Sequence, residues 1–126
     1  MSAARLIFVY NSESGMLNEL VDMIHKLAAP YTHECHLWRL THSHFGVRRE
    51  WMKFFDRYGL DVSFLHRDEF TREFSEEKSR YPAIFLANAK NLTPLISEVE
   101  INACNSAQKL MDLLKQRLRD AALIEE

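Results

Sequence analysis

The sequence predicts an α/β fold, a mixed four-stranded sheet sandwiched between helical layers, and three observations carry that prediction. Leu6-Ile7-Phe8-Val9-Tyr10 and Ala83-Ile84-Phe85-Leu86-Ala87 are unbroken apolar runs, the pattern of strands covered on both faces. Segments between and after them repeat apolar residues every three to four positions, the period of helices packed on one side. A chain of 126 residues, 47% hydrophobic and 27% charged, suits one domain built on one core.

The first strand, residues 6–10, is bounded by Arg5 and by the turn-prone Asn11-Ser12. From Ser14 the period changes, with Leu17, Leu20, Val21, Ile24, Leu27 and Ala28 on one helical face, and Pro30 ends that helix. Residues 33–41 read as a second strand whose apolar members are Leu37, Trp38 and Leu40. Strand, helix and strand together predict a βαβ unit with parallel strands. Trp51, Phe54, Phe55 and Tyr58 fall at i, i+3, i+4 and i+7 of a second helix, with Gly59 in the place of a C-terminal cap.

Residues 62–65 predict a short strand and residues 68–74 a short helix, after which the charged stretch to Arg80 reads as a solvated connection. The strand at residues 83–87 follows Tyr81-Pro82, residues 88–91 form a turn, and a further short strand centres on Leu95-Ile96. Ser97 and Glu100 have the spacing of a capping box, and Leu110, Met111, Leu113, Leu114 and Leu118 mark a long closing helix. Neither an internal repeat nor a linker interrupts residues 1–126, so a single domain is expected.

The order β-α-β-α-β-β-α resembles the thioredoxin fold, and that resemblance implies a thioredoxin-like three-layer α/β/α sandwich. Thioredoxin-like proteins carry a proline, usually in the cis form, just before the third core strand, and Tyr81-Pro82 stands in the matching place. A flavodoxin-like or receiver-like sheet needs five parallel strands with intervening helices, more than this chain supplies. A closer resemblance rests on residues 9–15, on Phe45-Gly46 with Glu50-Trp51, on residues 64–70 and on residues 81–86. These segments look like a family of small uncharacterised bacterial thioredoxin-like proteins, some of whose members carry a GTPase label. Members of that family often have Cys-x-x-Cys where this chain has Cys35-His36-Leu37-Trp38, so the second thiol is missing.

Several function classes are excluded at this level. A phosphate-binding loop needs Gly-x-x-x-x-Gly-Lys-Ser/Thr, and with glycine only at positions 15, 46 and 59 neither that spacing nor Gly-x-Gly-x-x-Gly exists. Asn88-Ala89-Lys90-Asn91 has the wrong order for a guanine-reading motif and lacks its aspartate. A net charge of -2 with interspersed signs argues against nucleic acid as partner. No apolar stretch approaches the roughly 20 residues of a membrane span, and no secretory signal is read, so a cytoplasmic location with reduced thiols is expected.

Where a thioredoxin places its reactive thiols, between the first strand and first helix, this chain has Asn11, Ser12, Glu13 and Ser14, so disulfide exchange there is chemically excluded. Those residues, with Tyr81 and Pro82, form the expected ligand-binding edge for an unknown peptide, protein or small molecule. Helix capping by Ser12 or Ser14 is the plain alternative.

Cys35, flanked by His33 and His36, is the candidate for a thiol enzyme or redox sensor, set against an inert strand cysteine. Five of the six histidines lie between His25 and His44, and His33-x-Cys35 and His42-x-His44 offer a metal-protein reading, set against ordinary surface histidines. No cofactor is expected. Trp38, Trp51, Phe54, Phe55 and Tyr58 read as core, or as a homodimer or partner face should their rings be exposed.

Overall fold

In the computed structural model, which describes residues 4–12, 35–43, 45–75, 79–88 and 91–124, the first strand is β1 (Arg5–Tyr10). It is followed by α1 (His36–Thr41), β2 (His42–Ser43), β3 (Gly46–Val47), α2 (Arg49–Arg57), β4 (Asp61–His66) and α3 (Arg67–Glu73). β5 (Ala83–Ala87), β6 (Leu92–Ile96), α4 (Glu98–Ala103) and α5 (Ala107–Asp120) complete the order. The helix predicted over residues 14–30 lies outside the described residues, as do Glu13, Ser14, His25, His33 and His44.

The sheet has four strands in the order β4-β1-β5-β6. β1 is central and buried, as its apolar run predicts. It pairs in parallel with β4, from Arg5 against Asp61 to Tyr10 against His66, and antiparallel with β5, from Arg5 against Ala87 to Val9 against Ala83. β6 pairs antiparallel with β5 and carries Pro94 on the sheet's edge, where a missing N–H breaks no interior ladder.

One expectation is overturned. Residues 33–41 do not form the second strand, because Cys35 precedes a helix, α1. Leu37, Leu40 and Thr41 are buried while Arg39 is exposed, a spacing of three and four residues that a helix satisfies. An extended backbone would have put Arg39 on the same face as Leu37 and Thr41. The parallel partner of β1 is therefore β4, reached through α1, the small β2–β3 hairpin and α2. The closing helix also divides: Ser97 and Ser106 each accept a backbone N–H three residues on, so two caps start two helices.

Side-chain alternation gives the sheet two differently covered faces. Leu6, Phe8, Tyr10 and Ile84 pack with Leu37, Trp51, Phe55, Ile101, Leu110, Leu114 and Leu118 from α1, α2, α4 and α5. Ile7, Val9, Ala83, Phe85 and Ala87 pack with Phe70 of α3. The molecule is thus a mixed α/β structure with helices against both faces of its sheet. α2 buries Trp51, Phe54 and Phe55 as predicted, and Gly59 adopts φ +61° beyond its end, where the Leu60 N–H donates to the Phe55 carbonyl at 2.9 Å. Trp51 sets its ring edge-on to Phe8 at 5.8 Å and donates its indole N–H to the Leu40 carbonyl at 2.8 Å.

Candidate functional site

The carboxyl ends of β1 and β4 meet the amino end of β5 at one rim of the sheet, because β1 runs parallel to β4 and antiparallel to β5. In open α/β sheets ligands bind outside the carboxyl ends of the strands, the ends that β1 and β4 present at this rim. With Val9 opposite Ala83, the register carries Pro82 to the level of Tyr10 and sets the turn after β1 beside Tyr81-Pro82. The Tyr81-Pro82 bond is cis, the form the fold resemblance implies. Of the predicted edge, Asn11, Ser12, Tyr81 and Pro82 are brought together at this rim.

The turn after β1 is held by residues that were not singled out for a role from the sequence. The Arg67 backbone N–H donates to the Ser12 carbonyl at 2.9 Å, and its guanidinium donates to Asn11 Oδ1 at 2.8 Å. Asn11 in turn donates its backbone N–H to Cys35 Sγ at 3.4 Å. Cys35 thus sits at this rim despite its distance along the chain, and at 5% exposure its sulfur is largely enclosed. His36 does not serve that thiol: its Nε2 lies 2.6 Å from the Cys104 carbonyl and ties α1 to the break between α4 and α5. Cys104 is also buried, and burial, followed by the Glu100 charge, pushes its thiol up from its ordinary value, which makes it less reactive.

Beneath the rim lies a polar group enclosed by aromatic rings. The Tyr10 hydroxyl bonds to Thr41 Oγ1 at 2.9 Å, and Thr41 Oγ1 lies 2.8 Å from His42 Nδ1. The His42 ring stacks on Trp38 with centroids 3.8 Å apart. Burial raises the Tyr10 phenol well above its ordinary range, opposed by the Thr41 hydrogen bond, so Tyr10 stays neutral. Beside it, His66 and Glu69 form a pair: Glu69 Oε1 accepts both the His66 backbone N–H and its Nδ1, each at 2.8 Å.

The His66 backbone hydrogen bond, opposed by burial and aided by the His66 side chain, holds the Glu69 carboxyl below its usual value. His66 Nε2, on the far side of the ring, is buried and has no hydrogen-bond partner among the described residues. The sequence signal for this pair was a capping-box spacing with histidine in place of the usual serine.

The other sequence-level candidates fall elsewhere. Trp51, Phe54 and Phe55 are buried and serve the core, while Trp38 and Tyr58 are partly buried against it. Among the described residues no group of three or more His, Cys, Asp or Glu side chains is placed to hold a metal ion. A cleft of about 210 Å³ opens on the β6 side of Pro82, floored by Ala83, Phe85, Pro94 and Ile96 and bordered by Arg80 and Glu98. Sequence reading missed it because its walls come from the ends of two strands and the start of α4, none of which is unusual alone. No family model, curated protein or solved structure matches the chain.

Proposed function

We propose that this chain is a non-redox thioredoxin-like domain that binds a peptide, protein or small molecule at the rim formed by Asn11, Ser12, Tyr81 and Pro82. The thioredoxin-like assignment draws support from the strand order β4-β1-β5-β6, a parallel pair followed by two antiparallel strands. The observation that carries the binding reading is the β1–β5 register, which sets a turn pinned by Arg67 against Tyr81-Pro82. Pinning matters because a rim that is already ordered loses little conformational entropy when a ligand arrives. The same turn has no sulfur, so the ligand is held by hydrogen bonds and ring contact and not by disulfide exchange.

The test is a thermal-shift and NMR screen of peptides and thiol compounds, glutathione included, on the whole chain, followed by the same titration of Asn11→Ala and Tyr81→Ala. Binding that perturbs the amides of Asn11, Ser12 and Tyr81, and that weakens about tenfold in either variant, is the expected result; tenfold corresponds to about 1.4 kcal/mol. A ligand that binds both variants as well as the parent chain, or the absence of any ligand or partner, overturns the reading.

A second reading, a thiol enzyme or redox sensor using Cys35, draws on the Asn11 N–H directed at its sulfur and on its place at the start of α1. Rapid alkylation of the folded chain by iodoacetamide at neutral pH, lost in Cys35→Ser, carries that reading. Protection of Cys35 until the chain is unfolded sinks it.

A further inference from the structure

Among the described residues Phe45, Val99, Met52 and Leu123 are the exposed large apolar side chains, and the two most exposed, Phe45 and Val99, stand toward opposite edges of the sheet. The first is Phe45, 98% exposed at the tip of the β2–β3 hairpin. The Phe45 N–H donates to Ser43 Oγ at 3.2 Å, and the next residue, Gly46, takes φ +109°, a conformation that side chains disfavour. The hairpin belongs to the β4 edge, since His42 packs its ring 5.6 Å from Phe64 of β4.

The second, Val99, borders the cleft against β6, at the other edge of the sheet. That cleft has an apolar floor of Ala83, Phe85, Pro94 and Ile96, and its wall is Val99, a residue 72% exposed at the start of α4. At its mouth Glu98 meets Arg80 at 3.9 Å, a loose pair in which Arg80 is 86% exposed, so the carboxylate can take a second cation. An exposed Arg49 stands four residues beyond Phe45, at the root of the hairpin. An aromatic knob with a cation at its root thus matches an apolar hole with a carboxylate at its mouth.

We infer that Phe45 of one molecule seats in the cleft beside Val99 of a second copy, so that the chain associates head to tail. Knob and hole lie at opposite edges of the sheet, so neither can satisfy the other within one molecule. The contact is heterologous, two different patches meeting, and such contacts extend from copy to copy unless a rotation closes a ring. Aromatic residues seated in enclosed pockets are the usual anchors of such contacts. Arg49 would face Glu98 across the junction and fix its orientation. This goes beyond the ligand reading, and neither Phe45 nor Val99 belongs to the rim at Asn11 and Pro82, so either proposal can fail alone.

Sedimentation velocity and light scattering over a concentration series test it. The parent chain is expected to gain mass with concentration above the 14.8 kDa of one copy, with no stop at two copies unless a small ring closes. Phe45→Ser and Val99→Asp are each expected to remain single copies. Mixed together they are expected to form a one-to-one pair that grows no further, because the mixture holds one intact knob and one intact hole. Arg49→Glu is expected to weaken association and Arg49→Glu with Glu98→Arg to restore it. A parent chain that stays a single copy at every concentration overturns the inference. So does association that survives Phe45→Ser, or a mixture of the two variants that does not pair.

Discussion

The two faces of the sheet are built from the same strands and yet differ in kind. On the first face, Leu6, Phe8 and Tyr10 meet four helices, and Phe8 alone has Trp51, Phe55 and Phe64 within 5.8 Å between centroids. On the second, among the described residues, Ile7, Val9 and Phe85 meet one short helix through Phe70, whose ring stacks on Phe85 at 4.7 Å. The first face is a closed apolar core whose polar groups, Tyr10, Thr41, His42 and His66, gather at the rim. The second borders an open cleft, whose floor includes the buried Ala83 and Phe85 and whose exposed wall is Val99. Among the described residues the first face therefore carries the larger packed rings, and recognition is proposed for the ends and edges of the sheet.

Removing the central ring of each face gives the largest expected effects and the most direct way to break this comparison. Trp51→Ala is expected to lose about 4 kcal/mol of unfolding free energy, since it empties a large buried site and also orphans the Leu40 carbonyl. Phe70→Ala is expected to lose less, about 3 kcal/mol, at the bottom of the range for such truncations. Urea unfolding of both variants checks the order. A Phe70→Ala loss equal to or above that of Trp51→Ala would show the second face to be as closely packed as the first.

Next in size is the buried polar group at the rim. Tyr10→Phe removes a hydroxyl that meets Thr41 Oγ1, while Thr41 keeps its bond to the Leu37 carbonyl at 3.1 Å. Little is left unsatisfied, so a loss of about 1 kcal/mol is expected in the same urea measurement. A loss near that of Trp51→Ala would mean that the rim network, and not the rings, holds the first face together.

The elements legible in the sequence were those whose period is unambiguous. The apolar runs of β1 and β5 and the four rings of α2 each satisfy only one template, and each was placed correctly. Residues 36–41 failed because six residues with apolar side chains at Leu37, Trp38 and Leu40 fit a poor strand and a short helix alike. What decided between them was tertiary: Leu37 and Leu40 had a core to enter, and His36 had the Cys104 carbonyl to bind. The adjacency of β1 and β5, which sets Asn11 and Ser12 at the same end of the sheet as Tyr81 and Pro82, was legible because it followed from two buried runs. The Arg67 anchor was not, since it depends on β4 lying beside β1, which no local pattern states; the His66–Glu69 pair is local, but histidine in the place of the usual serine hid its capping-box spacing.

A smaller effect separates the helices of the first face. Arg117 donates to the Leu95 carbonyl at 2.6 Å and pairs with Glu100, whose carboxyl that pairing, with the Ser97 N–H, lowers from 4.5 to about 2. Glu100 is deprotonated more readily when folded, so the pair stabilises fully above about pH 4.5 and its contribution fades as pH falls toward 2. Both side chains are about a third exposed, so Arg117→Ala is expected to lose no more than about 1 kcal/mol at pH 7. The gap between variant and parent should narrow as the solution is acidified through that window, read by urea unfolding at each pH. A gap that stays constant on acidification would assign the stabilisation to the Leu95 carbonyl alone.

The smallest expected effect is at Phe45, and its smallness is what makes it informative. The ring touches solvent almost everywhere, and its turn is held by Ser43 and Gly46, neither of which uses the phenyl group. Phe45→Ser is therefore expected to unfold within about 0.5 kcal/mol of the parent chain at a concentration where both are single copies. The contrast with Trp51, another aromatic residue close by in sequence, isolates burial as the cause, because residue type alone would rank the two together. If Phe45→Ser costs as much as Tyr10→Phe in dilute solution, then the hairpin ring is covered within its own molecule. In that case the division between the packed face and the proposed recognition edges fails at the hairpin first.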